Sequence, residues 1–412
     1  MQIACFASRR DPTCQLTVAI SVMHTLTRST LLQSTLAMAA TPAMEPRPVR
    51  WGIVGLGDVT AVKSGPPFWK CRGAELVAAM RRTPGAAAEW AKTTVPGGRC
   101  VGYDSLDAFL AHPGLDAVYI ATPPGGHCDT ALRVAAAGKH CYVEKPVGRS
   151  AKETAAMVAA FEATGTTLFT AYISRAYERT AAVKALLTEG VLGERCTQVT
   201  YMLKGTGGAR GMAGAALPWR LQAAQAGGGL VMDVGCHVVD RLDYWLGPLQ
   251  NVEGRAANRK SPSQKVEDYV TFTATLGGSS WAAVPSEGAM VSCTWDFASR
   301  EPPLDLLVLS GPRGSIRMAA MSASAPVEVL DAEGQVVRTL SFEAPEHTAQ
   351  PLIQTMCDEL RGLGQDRCPS RGDNALRASR VLDAALSSYY GGRDDDYWNH
   401  AERWEWRWTT IY

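Results

Sequence analysis

The sequence predicts an α/β chain: a doubly wound parallel sheet first, then an α+β domain built on an open, mainly antiparallel sheet. Two patterns predict it. From Val49 to Tyr172, short apolar runs alternate with helical stretches, the rhythm of a parallel sheet with right-handed crossovers. Beyond Arg175, strand-like runs succeed one another without helices between them, as antiparallel strands do. Length sets the scale: 412 residues, 46% hydrophobic and 20% charged, suffice for two ordinary domains, each with its own core.

The first half opens with a strand over 49–54, a glycine turn and a helix from about Val59. A strand over 74–80 and a helix over 86–93 follow, then a short helix over 105–111 capped by Asp104 or Ser105. Residues 117–121 are nearly all apolar, as a strand buried on both faces must be. A helix over 129–137 stops at Gly138, and the strand 140–143 comes next. A helix over 151–163 and a strand over 167–172 complete the sheet.

The second half has a helix over 181–187, a strand over 197–203, a glycine-rich segment over 205–229 and a helix over 230–246. Strands are expected over 252–257, 269–276, 280–284, 291–297 and 304–310, with closing helices over 352–363 and 374–390. The boundaries that follow are 46–174 for the doubly wound domain and 175–392 for the α+β domain. A Trp-rich tail over 393–412 is expected to pack against a domain surface.

Residues 1–45 differ from the rest. Up to Ala43 the sole acidic residue is Asp11, whereas Arg9, Arg10 and Arg28 are basic and hydroxyl residues abound. That composition reads as a transit peptide for a plastid or mitochondrion, or else as a disordered leader on a cytoplasmic protein whose translation starts at Met38 or Met44. The net charge of +1 gives no footprint for nucleic acid or an anionic membrane, and no later apolar run reaches transmembrane length. Eleven cysteines are scattered without a Cys-x-x-Cys pair, so no metal or redox spacing is present.

Three segments bear chemistry. Gly55-Leu56-Gly57-Asp58-Val59 follows the first strand; its glycines permit a tight turn and the close approach of a pyrophosphate. Thr60 replaces the third glycine of the dinucleotide fingerprint; it either loosens helix–strand packing or turns its hydroxyl to phosphate. At the end of the second strand, where an acid would bond the ribose 2′-hydroxyl of NAD, the chain has Arg81 and Arg82. Arginine suits a 2′-phosphate, so NADP is expected, with NAD possible.

Thr122-Pro123 with His127 follows the fourth strand, and Glu144-Lys145-Pro146 the fifth. Both sit at the carboxyl edge of the sheet, where doubly wound folds hold ligands, so His127 either lines the nicotinamide side or merely opens a helix. The third segment runs from Gly227 through Asp233 to His237. Four apart on a helix, Asp233 and His237 form a proton carrier, a surface pair, or a metal pair with Asp240. No metal is expected.

Jointly these motifs resemble the Gfo/Idh/MocA oxidoreductases over residues 49 to about 390. The resemblance implies a Rossmann domain, an open-sheet domain, and NAD(P)-linked hydride transfer on sugars, polyols or related hydroxyl compounds. It assigns catalytic roles to Lys145, Asp233 and His237, and implies a homo-oligomer, dimer or tetramer, acting on a small molecule. In this reading His237, or alternatively Lys145, accepts the hydroxyl proton, Asp233 orients the imidazole, and Lys145 bonds the substrate oxygen. Tyr172, Arg175, Trp219 and Arg220 are candidate substrate contacts. The alternatives are a dihydrodiol-type dehydrogenase acting on cyclic diols and a nucleotide sensor that has lost catalysis.

Overall fold

The computed structural model describes residues 45–205, 218–259, 266–364 and 367–391. The leader up to residue 44, residues 206–217 of the glycine-rich segment and the Trp-rich tail lie outside the described residues.

Six strands form the first sheet: β1 (Val49–Val54), β2 (Ala74–Met80), β3 (Val101–Tyr103), β4 (Ala117–Ile120), β5 (His140–Val143) and β6 (Leu168–Thr170). They are all parallel, in the order β3-β2-β1-β4-β5-β6. The order reverses between β1 and β4. Their carboxyl ends therefore open the crevice in which such sheets receive ligands.

The second sheet contains β7 (Gln198–Lys204), β8 (Leu249–Ala257), β9 (Tyr269–Leu276), β10 (Met290–Asp296), β11 (Leu304–Ser310), β12 (Gly314–Met318), β13 (Val327–Asp331) and β14 (Val336–Leu340). Its order is β14-β13-β12-β11-β7-β10-β9-β8. Every pair is antiparallel except β10 with β7.

Two expectations are corrected at the level of elements. Residues 280–284 are not a strand: Trp281 donates its indole N–H to Asp243 O at 2.9 Å and Ala283 N reaches Trp245 O at 2.8 Å, so the segment docks on a helix. The strands β12 to β14, and β3, were not expected; they are three to five residues long, too short for a clear alternation.

The core is shared rather than divided. One face of the first sheet, with Trp51, Tyr119 and Phe169, packs on Leu352, Ile353 and Met356 of the helix Gln350–Leu360, which returns from the far end of the chain. The other face is continuous with the apolar residues of the second sheet and the helix Cys236–Leu246.

Candidate functional site

The glycine turn is built as the sequence demands. Gly55 has φ +97°, and a Cβ there would lie 2.8 Å from Ala121 C and Thr122 N. Only glycine suits both constraints. Around Gly57, by contrast, a Cβ would meet nothing within 4 Å, so the backbone faces open space. Asp58 and Val59 begin the five-residue helix Asp58–Val62. Thr60 is buried and donates its hydroxyl to Gly57 O at 2.7 Å, which ties the turn together and leaves that hydroxyl no hydrogen for a phosphate.

These residues line a cleft of about 710 Å³. Gly55, Leu56, Gly57 and Val59 form one wall and Thr122 with Pro123 another. Arg81 and Arg82 stand exposed along it, with no acidic partner among the described residues. Trp219 and Arg220 close it from the second domain, the guanidinium 4.3 Å over the indole ring. Gln225 and Arg133 also line the cleft; sequence reading missed them because neither belongs to a motif.

Past β5, Lys145 Nζ donates to Asp233 Oδ1 at 2.7 Å and to Asp233 O at 3.0 Å. Arg220 Nε donates to the other carboxylate oxygen at 3.2 Å. Burial raises the Asp233 carboxyl, but the two cations outweigh it and hold the group below its ordinary range. Burial lowers Lys145, and Asp233 reverses this, so the ammonium titrates above its usual range. Glu144 is pushed up by burial; its Oε1 lies 2.6 Å from the Tyr119 hydroxyl, and Oε2 accepts Lys145 N at 3.2 Å.

The expected Asp233–His237 hydrogen bond does not form. Residues Val231–Gly235 make a turn of π-helix before the α-helix Cys236–Leu246, and the Asp233 carboxylate is turned to Lys145 and Arg220 instead. His237 packs edge-on to the Tyr172 ring at 6.2 Å. Burial, then Lys145 and Arg241, push its imidazole well below the ordinary histidine value.

Of three further candidates, His127 opens the helix His127–Ala136, the second of its two readings, whereas Arg175 and Tyr172 stand elsewhere than expected. His127 is fully buried: Nε2 lies 2.7 Å from Thr122 O, and Nδ1 3.1 Å from Pro146 O, so it pins the two cleft loops together instead of facing the cleft. Arg175, 7% exposed, gives Nε to both Asp240 oxygens at 2.9 and 3.0 Å and Nη2 to Asp243 at 3.1 Å. It braces two helices rather than meeting a substrate, and it engages the Asp240 carboxylate that the metal reading required. Tyr172 is 1% exposed and touches the site through His237. Among the described residues no group of three or more acids, histidines or cysteines is placed to hold a metal.

Residues 49–172 match the family described as oxidoreductase family, NAD-binding Rossmann fold, and residues 180–317 match the C-terminal domain of the same family. The chain belongs to the Gfo/Idh/MocA oxidoreductases. Within that family it is 29% identical over 341 residues to oxidoreductase P35 of Formosa agariphila, covering 82% of this chain and 98% of the relative. It is 32% identical over 197 residues to D-xylose 1-dehydrogenase (NADP(+)) 2 of Haloferax volcanii, 48% of this chain and 57% of that one. The crystal structure of aldose-aldose oxidoreductase from Caulobacter crescentus, complexed with glycerol, superposes with a TM-score of 0.66 at 25% identity, over 83% of this chain and 98% of that chain. As a Gfo/Idh/MocA oxidoreductase the chain binds a nicotinamide dinucleotide, and the cleft fits it: an open backbone at Gly57 and a cavity along the sheet's switch point.

Proposed function

We propose that this oxidoreductase acts on a secondary alcohol, or the matching ketone, of a sugar or polyol, and prefers NADP to NAD. The nicotinamide supplies the hydride acceptor or donor when bound. Gly55, Gly57, Thr122 and Pro123 would hold the dinucleotide, with Arg81 and Arg82 at the 2′-phosphate. The relatives named for aldoses and xylose support the substrate class, and the xylose enzyme's NADP(+) supports the cofactor.

One observation carries the mechanism: Lys145 lies 2.7 Å from Asp233, whose second oxygen is held by Arg220 on the cleft wall. Asp233 keeps Lys145 charged, so this ammonium donates to the substrate oxygen and stabilises alkoxide character as hydride leaves carbon. His237 is kept neutral by burial and by its cationic neighbours, so it is the group that accepts the hydroxyl proton. The opposed displacements of these two groups support Lys145 as the acid and His237 as the base. Asp233 positions the lysine, not the imidazole.

Fluorescence titration of the full chain with NADPH and NADH tests the cofactor reading. NADPH should bind more tightly, and Arg81→Ala with Arg82→Ala should weaken it by about tenfold or more while sparing NADH. Equal losses for both cofactors would refute the arginine assignment.

A further inference from the structure

A second cavity, of about 190 Å³, has His237 in its wall together with Ser174, Tyr177, Arg179 and Arg241. Its two arginines are buried and differ from their neighbour Arg175, which meets two carboxylates. Arg179 gives Nε to Ala325 O at 2.8 Å, Nη1 to Ser322 O at 3.2 Å and Nη2 to Ala319 O at 2.7 Å. Arg241 gives Nε to His237 O at 3.2 Å and Nη1 to Ala320 O. Every acceptor is a main-chain carbonyl, and each guanidinium keeps N–H donors that these bonds do not use. No acidic side chain forms an ion pair with either among the described residues.

Both arginines feel the charge of Asp305, whose oxygens accept from Ala320 N at 2.9 Å and Met321 N at 2.7 Å; Arg241 also feels Asp240, but that carboxylate is already matched by Arg175. Two guanidinium charges against one carboxylate leave one positive charge uncompensated beside the cavity. Ser174 adds an independent sign. Its Oγ is buried in the same wall and has no hydrogen-bond partner among the described residues. Buried cations and hydroxyls left without partners are costly, so the arrangement calls for an anion delivered from solution.

We infer that this cavity receives the carboxylate of the substrate, and that the substrate is a sugar acid, a uronate or an aldonate. The single uncompensated charge matches a monoanionic carboxylate better than a dianionic phosphate ester. Arg179, Arg241 and Ser174 are then binding residues that select the acid over the neutral sugar, with His237 adjoining the carboxylate. The inference rests on the sugar reading of the function and deepens it.

The test is calorimetric titration of the full chain, loaded with NADPH, with D-glucuronate, D-galacturonate, D-glucose and D-galactose. The four sugars are supplied as methyl glycosides, which have no free aldehyde for NADPH to reduce, so binding is read alone. At least one uronate should bind about tenfold or more tightly than its neutral counterpart. Ser174→Ala and Arg241→Lys should each weaken the uronate by about tenfold and leave the neutral sugar unchanged. Ser174→Ala removes one oxygen, so it tests the cavity even if the arginine variant fails to fold. Equal binding of acid and neutral sugar, or a uronate affinity indifferent to Ser174→Ala, overturns the inference. Hydride exchange is scored separately. Turnover of neutral sugars without acid preference sinks only the carboxylate pocket, whereas acid binding without hydride transfer to any sugar sinks the functional reading and leaves the pocket standing.

Discussion

At the scale of single residues, Lys145 and His237 divide the proton chemistry between them. Replacing Lys145 with Met removes the donor aimed at the substrate oxygen, and turnover should fall about a thousand-fold with NADPH affinity nearly unchanged. Steady-state kinetics beside a cofactor titration checks this, and near-normal turnover would end the lysine's role. His237 gives a second expectation. Its imidazole must be neutral to accept a proton, and its folded value lies below the ordinary 6.5. Alcohol oxidation should therefore stay level as pH falls to 6.5 and decline only below it; a decline already complete at neutral pH would contradict the assignment. Because Lys145 is one cause of the depression, Lys145→Met should move that limb to higher pH in its residual activity. The sequence made these residues visible through spacing. It could not show that Asp233 faces the lysine, because an i,i+4 pair assumes α-helical winding and a π turn interrupts it. Nor could it show that Arg175 is buried, since a polar residue after a strand looks the same whether it faces a cleft or a helix.

Among elements, the helix Cys236–Leu246 does the joining. Its Asp240 and Asp243 take Arg175 from one side and Arg377 from another, and Asn374 reaches Asp240 at 3.1 Å. Asp240→Asn would leave the Arg175 charge buried and half-matched. Unfolding in denaturant should register a loss of about 3–5 kcal/mol, with a lowered melting temperature. A loss below 1 kcal/mol would show that water reaches the network. The elements legible in the sequence were those with a clear alternation or a continuous apolar run bounded by turn residues: β1, β2, β4, β5, β9 and β11, and the helix Gly372–Tyr390, which Gly391 ends at φ +71°. The sheet's outer strands escaped because β14 is largely solvent-facing and carries little apolar pattern to read.

For the molecule as a whole, the helix Gln350–Leu360 has a consequence for how the chain is made. On one face the core of the first sheet is completed by Leu352, Ile353, Met356 and Cys357, nearly two hundred positions after β6 ends. A ribosome delivers the strands that hold the cofactor turn long before it delivers their cover. Until then Trp51, Phe68 and Tyr119 pack on one another but lack the cover of that helix. A fragment ending at residue 174 should therefore bind a hydrophobic dye and aggregate, while the full chain should not; a monomeric, dye-free fragment would refute this. In the growing chain the dinucleotide-binding half waits, exposed, for a helix encoded far downstream of its own strands, and during that interval chaperones have a specific face to shield.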